Sequence, residues 1–110
     1  MHIMDLHRFA PIADAYGLHM TPKMSGVDAS EAVAGLCHWS QGTRSPEQGM
    51  RASAKHEIAY VVRGRLRVET PDGASFEAQA GDIITTSPAR PHCCTAIEDS
   101  DVFFVLLDPT

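Results

Sequence analysis

Lys55-His56-Glu57-Ile58-Ala59-Tyr60-Val61-Val62-Arg63-Gly64 is answered further along by Gly81-Asp82-Ile83-Ile84-Thr85-Thr86-Ser87-Pro88-Ala89-Arg90-Pro91-His92. Each stretch is an apolar, β-branched run closed by a turn residue, and each places an acid or an imidazole beside that run. Working outward, RLRVET continues as a strand after Gly64, and Pro71-Asp72-Gly73 predicts a hairpin turn. ASFEAQA alternates, IITTS is ended by Pro88, and HCCTAI and DVFFVLL are divided by the polar turn Glu98-Asp99-Ser100-Asp101. Upstream, Glu31–Ser40 reads as a strand and Gln41–Ala54 as a long loop at a rim. Strands this short and evenly spaced, without a convincing helix, predict an all-β sandwich or barrel.

In residues 1–30 every candidate helix is interrupted by Pro11, Gly17, Pro22 or Gly26. They read as an N-terminal arm with one or two short strands along the edge of a barrel formed by residues 31–110. At 110 residues the chain holds one core, and 44% apolar content supplies it. The net charge of −5 and the lack of a basic run argue against nucleic acid. Arg63, Arg65 and Arg67 alternate opposite Leu66 and Val68, which reads as a solvated face. The first residues have no continuous apolar segment and carry Asp5 and Asp14, unlike a secretory signal or membrane span, so a cytoplasmic protein is expected. Three cysteines, two of them the neighbours Cys93 and Cys94, argue against a disulfide framework, and the absence of CxxC argues against a zinc finger.

Glu57, Tyr60, Val61 and Gly64, with Gly81, Asp82, Pro88 and His92, resemble the two motifs of the cupin superfamily. The resemblance covers about the last 60 residues and implies a double-stranded β-helix, or jelly-roll barrel, with a pocket inside. It also has gaps. The usual His-x-His pair falls on Arg51 and Ser53, the glycine between proline and histidine on Ala89 or Arg90, and the asparagine on Ala96.

The resemblance turns Glu57 inward, where a carboxylate is costly without a cation, metal or donor and so marks a site. His92 is the second candidate, as ligand or general acid/base, since imidazole titrates near neutrality. His56 can complete a two-histidine, one-carboxylate set with them, suited to iron, manganese, zinc or nickel. For that to happen, a bulge must turn neighbouring residues the same way. The alternative is a pocket without metal. Arg51 is a candidate for a substrate carboxylate or phosphate. Cys94 shares the face of His92, and Tyr60 is a further candidate. Either His38 or the pair Cys37/Trp39 looks inward.

Two functions remain open. One is an enzyme acting on a small polar carboxylate, carbonyl or enol by metal-assisted or Glu/His acid–base chemistry, as a lyase, dehydratase, cyclase or isomerase. The other is a non-catalytic ligand-binding or sensing cupin, because KHEIAYVVRGRL also resembles the sensing half of AraC-type regulators. A homodimer paired through edge strands and the arm is expected, with a small-molecule ligand and neither nucleic acid nor membrane as partner.

Overall fold

The computed structural model describes residues 4, 6–22 and 32–109. Among them there is no helix; nine strands form two antiparallel sheets, as the strand pattern predicts. They are β1 (Tyr16–Met20), β2 (Ala32–Trp39), β3 (Arg44–Ser45), β4 (His56–Arg63), β5 (Arg65–Glu69), β6 (Ser75–Gln79), β7 (Ile83–Thr86), β8 (Cys93–Ala96) and β9 (Ser100–Leu107). One sheet runs β1-β2-β9-β4-β7 and the other β3-β8-β5-β6. The expected arm contributes β1, which pairs along its whole length with β2. The expected boundary at residues 30 and 31 lies outside the described residues.

Turn chemistry explains the joints. Gly73 adopts φ +85°, its N–H donates to Thr70 O, and Thr70 N–H donates to Ala74 O, closing the hairpin that Pro71-Asp72-Gly73 predicts. Gly64 sits at φ +89° between β4 and β5, where a Cβ would lie 2.2 Å from Asp99 O and 2.3 Å from Ser100 Oγ. The expected turn over residues 98–101 is shorter than its polarity suggests. Ser100 already belongs to β9, because its hydroxyl is buried and takes Arg65 N–H while donating to Glu98 O. The rim loop likewise contains β3, which gives β8 its outer partner.

Alternation sorts the side chains into layers. Val61, Leu66, Ala78, Ala96, Val102 and Phe104 are buried between the sheets and form the floor. One step further along the strands, Val68 stands opposite both Phe76 and Cys94. Beyond it, Glu57 lies between Leu106 on β9 and Thr86 on β7. The barrel therefore has an apolar closed end and a polar mouth. The alternating arginines face outward and are paired: Arg63 with Asp101, Arg65 with Glu77 and Glu98, and Arg67 with Glu77.

Candidate functional site

A cavity of about 590 Å³ opens between the sheets, and Glu57, His92, Arg51, Cys37, Trp39 and Cys94 all line it. Glu57 is half-buried on β4, the strand bonded on one side to β9 and on the other to β7. Arg51 and His92 lie outside the regular strands and are joined to each other. Arg51 N–H donates to His92 O at 3.0 Å, and His92 N–H returns to Arg51 O at 3.1 Å. This reciprocal pair brings the guanidinium and the imidazole together. The loop before Arg51 is gathered by Arg44, whose guanidinium donates to Pro46 O and Gly49 O.

Burial raises the Glu57 pKa above the ordinary carboxylate range, and the positive charges of His92 and Arg51 offset part of that rise. The His92 ring contacts Arg90 O through Nδ1 at 3.0 Å. A carbonyl oxygen can only accept, so Nδ1 carries the hydrogen and Nε2 is the ring atom left to face a ligand. Arg51 spends one N–H on Ser45 Oγ at 3.3 Å. Burial pushes the Cys94 thiol up to about 12 and the Cys37 thiol up to about 11, so both are neutral thiols in the wall. Trp39 packs edge-on against Tyr16, with ring centroids 5.0 Å apart, and belongs to the buried core while touching the cavity.

Two expectations need correction, and one open choice is decided. His56 does not enter the cavity. The register of β4 against β9 runs without interruption from His56–Leu107 to Val61–Val102, so no bulge turns His56 to the side of Glu57, and its side chain is exposed. Tyr60 shares that outward face and is likewise outside the cavity. Of the two options on β2, Cys37 and Trp39 look inward; His38 looks outward, where its Nδ1 meets Asp101 Oδ1 at 2.7 Å.

The expected ligand set of His56, Glu57 and His92 is thus not assembled. Among the described residues no group of three or more His, Cys, Asp or Glu side chains is placed to hold a metal ion. The two positions of the usual histidine pair carry a guanidinium and a hydroxyl, Arg51 and Ser53, and both line the cavity. A fixed cation beside one imidazole and one carboxylate does not fit the four-ligand metal centre that the resemblance implies.

The cavity also has walls that the sequence reading did not single out. Tyr16, Leu18 and Met20 come from β1, Phe76 from β6, and Thr86, Ser87 and Arg90 from the segment leading to His92. The last group was within reach of sequence reasoning, because alternation places Thr86 across from Glu57 once β4 and β7 are paired.

Residues 35–108 match the family model of the cupin domain, and the chain belongs to that family. Solved structures agree on the fold. A cupin superfamily protein from Desulfitobacterium hafniense superposes with a TM-score of 0.68 at 9% identity, covering 90% of this chain and 84% of its own. KdgF from a Halomonas species gives 0.69 at 19% identity, covering 94% and 90%. A Cupin 2 conserved barrel domain protein from Salinispora arenicola gives 0.67 at 19%, covering 93% and 89%. No curated protein matches the chain. No helix among the described residues is long and apolar enough to cross a membrane.

Proposed function

We propose that this cupin is a metal-independent acid–base enzyme acting on a small carboxylate with an adjacent carbonyl or enol, in the manner of an isomerase, dehydratase, cyclase or lyase. The observation that carries this reading is the convergence of Glu57, His92 and Arg51 on one cavity, with Glu57 shifted toward its protonated form. His92 Nε2 takes a proton from the carbon beside the carbonyl. The negative charge that develops on the carbonyl oxygen is met by the Arg51 guanidinium, and the Glu57 carboxyl, whose burial favours its protonated form, returns a proton to the enolate, at carbon for an isomerisation or at a departing oxygen for a dehydration.

The test does not require the natural substrate. Small 2-oxo acids in D₂O, followed by NMR, should incorporate deuterium next to the carbonyl faster with protein than without. Glu57→Gln and His92→Ala should each cut that rate about 10²- to 10⁴-fold. Ligand binding with no exchange on any member of the panel would favour the second reading, a sensing cupin that holds its ligand unchanged.

The same reading includes a homodimer, paired through a sheet face rather than through edge strands. Leu36, Phe103, Tyr60 and Ile83 stand side by side on the outer face of the five-stranded sheet, with Ile58 and Val62 beside them, all exposed. At roughly 150–200 Å² for a large side chain, their exposure amounts to about 500 Å² of apolar surface. That is near the upper end of what monomers leave bare, and more than half of the roughly 800 Å² that each partner of a stable dimer covers. The charges bordering this face, Arg63, Asp101 and His38, already bond one another, so a second copy suits it better than a charged partner. Sedimentation equilibrium should return twice the chain mass, and Tyr60→Glu should return the monomer.

A further inference from the structure

The acid–base groups occupy only the mouth of the cavity, and the remaining wall has a different chemistry. Leu18, Met20 and Phe76 face inward, yet they keep 45%, 44% and 47% of their surface uncovered. Inward apolar side chains in a closed barrel ordinarily fill one another's space. Here they border the void of about 590 Å³, within the size range of small-molecule sites. Register places them deeper than the polar groups. Phe76 is opposite Val68, whereas Thr70, further along the same chain, lines the cavity on the side of the mouth. Leu18 is opposite the buried Cys37, and Met20 opposite Gly35. At the mouth, Arg51 keeps most of its fork after its one bond to Ser45, and Arg90 adds a second guanidinium.

We infer that the ligand is amphiphilic: a monocarboxylate whose charged head rests on Arg51 and whose aliphatic or aromatic body lies over Leu18, Met20 and Phe76. This rests on the reading of the cavity as a small-molecule site and narrows the ligand from a polar molecule to one with a substantial apolar body. Strongly hydroxylated acids are disfavoured, because nothing on that wall can replace the hydration of their hydroxyls.

Trp39 is the single tryptophan and lines this cavity, so its fluorescence reports binding there and not on the outer sheet face. The full chain is titrated with straight-chain monocarboxylates from acetate to octanoate, the matching primary amides, and polyhydroxylated acids of similar length. The dissociation constant should fall about fourfold per added methylene until the cavity is filled. Carboxylates should bind at least tenfold more tightly than their amides. Arg51→Met should erase the carboxylate preference and leave the chain-length dependence. Met20→Ser and Phe76→Ser should flatten the chain-length dependence and leave the carboxylate preference. A flat series, or tighter binding by the hydroxylated acids, overturns the inference while leaving a small-molecule site in place. No fluorescence response to any of these acids overturns the inference and the small-molecule site together.

Discussion

Ala89 is the non-glycine residue that the described backbone places at positive φ, at +61°, in the turn between Pro88 and His92. Its N–H donates to Ser53 O at 2.8 Å, so the turn is tied to the segment that bears Arg51 while it carries Arg90 and His92. A Cβ in the left-handed region costs about 1–2 kcal/mol. Glycine removes that cost but gives the unfolded chain more freedom, which returns about 0.4–1 kcal/mol. Ala89→Gly should therefore stabilise the protein by about 0.5–1 kcal/mol, although alanine-to-glycine changes ordinarily destabilise. For a chain of this size that is a rise of about 2–6 °C in Tm. Urea unfolding followed by circular dichroism measures it directly, with an unchanged slope against denaturant as the sign that only the native turn was relieved. Equal or lower stability would mean that the turn is not held in the left-handed region and that the account of this rim is wrong.

Glu57→Gln should raise stability at neutral pH. A carboxyl whose folded pKa lies above its unfolded one binds more protons when folded, so the native state loses stability as pH rises through the interval between the two values. Urea midpoints of wild type and variant should nearly coincide at pH 4 and separate in favour of the variant at pH 7; a less stable variant at pH 7 refutes the burial argument. Gly64→Ala should cost about 2–5 kcal/mol, from the positive φ together with contacts of 2.2 and 2.3 Å that backbone and Ser100 cannot relieve cheaply. A thermal melt within 3 °C of wild type would contradict that geometry. Cys37 and Cys94, at about 11 and about 12, should react with iodoacetamide at pH 8 roughly a hundredfold to a thousandfold more slowly than a free thiol. Mass spectrometry showing either labelled at the free-thiol rate would place it outside the dry wall described above.

What the sequence made legible follows from what alternation and turn chemistry can encode. EIAYVV, Gly64, Pro71-Asp72-Gly73 and Gly81-Asp82 carry their instructions locally, and the strands between them fall where those residues put them. Glu57 and His92 were legible as a pair only through the family resemblance, since the register linking their strands is settled by tertiary packing. The orientation of His56 depended on whether a bulge precedes Glu57, and that is decided by the pairing partner, β9, rather than by the strand itself. His38 was ambiguous for the same reason, because its partner Asp101 comes from a strand far along the chain. The walls given by Leu18 and Met20 were hidden most completely. YGLHM is short, follows an irregular stretch, and becomes a cavity wall only through its register on β2. Tyr60, a candidate for the pocket, and Ile58 instead stand exposed on the outer face, because alternation gives half of EIAYVV to that side.

Arg51 unites the fold and the proposed chemistry. In the metal-binding pattern that the family resemblance implies, its position belongs to a histidine, and charge near Glu57 would come from an ion. Here a side chain supplies that charge permanently, held by two backbone hydrogen bonds to the residue that bears the imidazole. Together with His92 the cation moderates the rise in the Glu57 pKa without cancelling it, and the proposed chemistry assigns proton donation to that carboxyl and proton abstraction to the imidazole. In that proposal the two roles are separated by environment, with burial acting on Glu57 and the Arg90 carbonyl orienting the His92 ring through Nδ1. The proposed acid sits on a strand bonded on both sides, whereas the proposed base and the cation lie on two loops tied by the Arg51–His92 pair and by Ala89 N–H to Ser53 O.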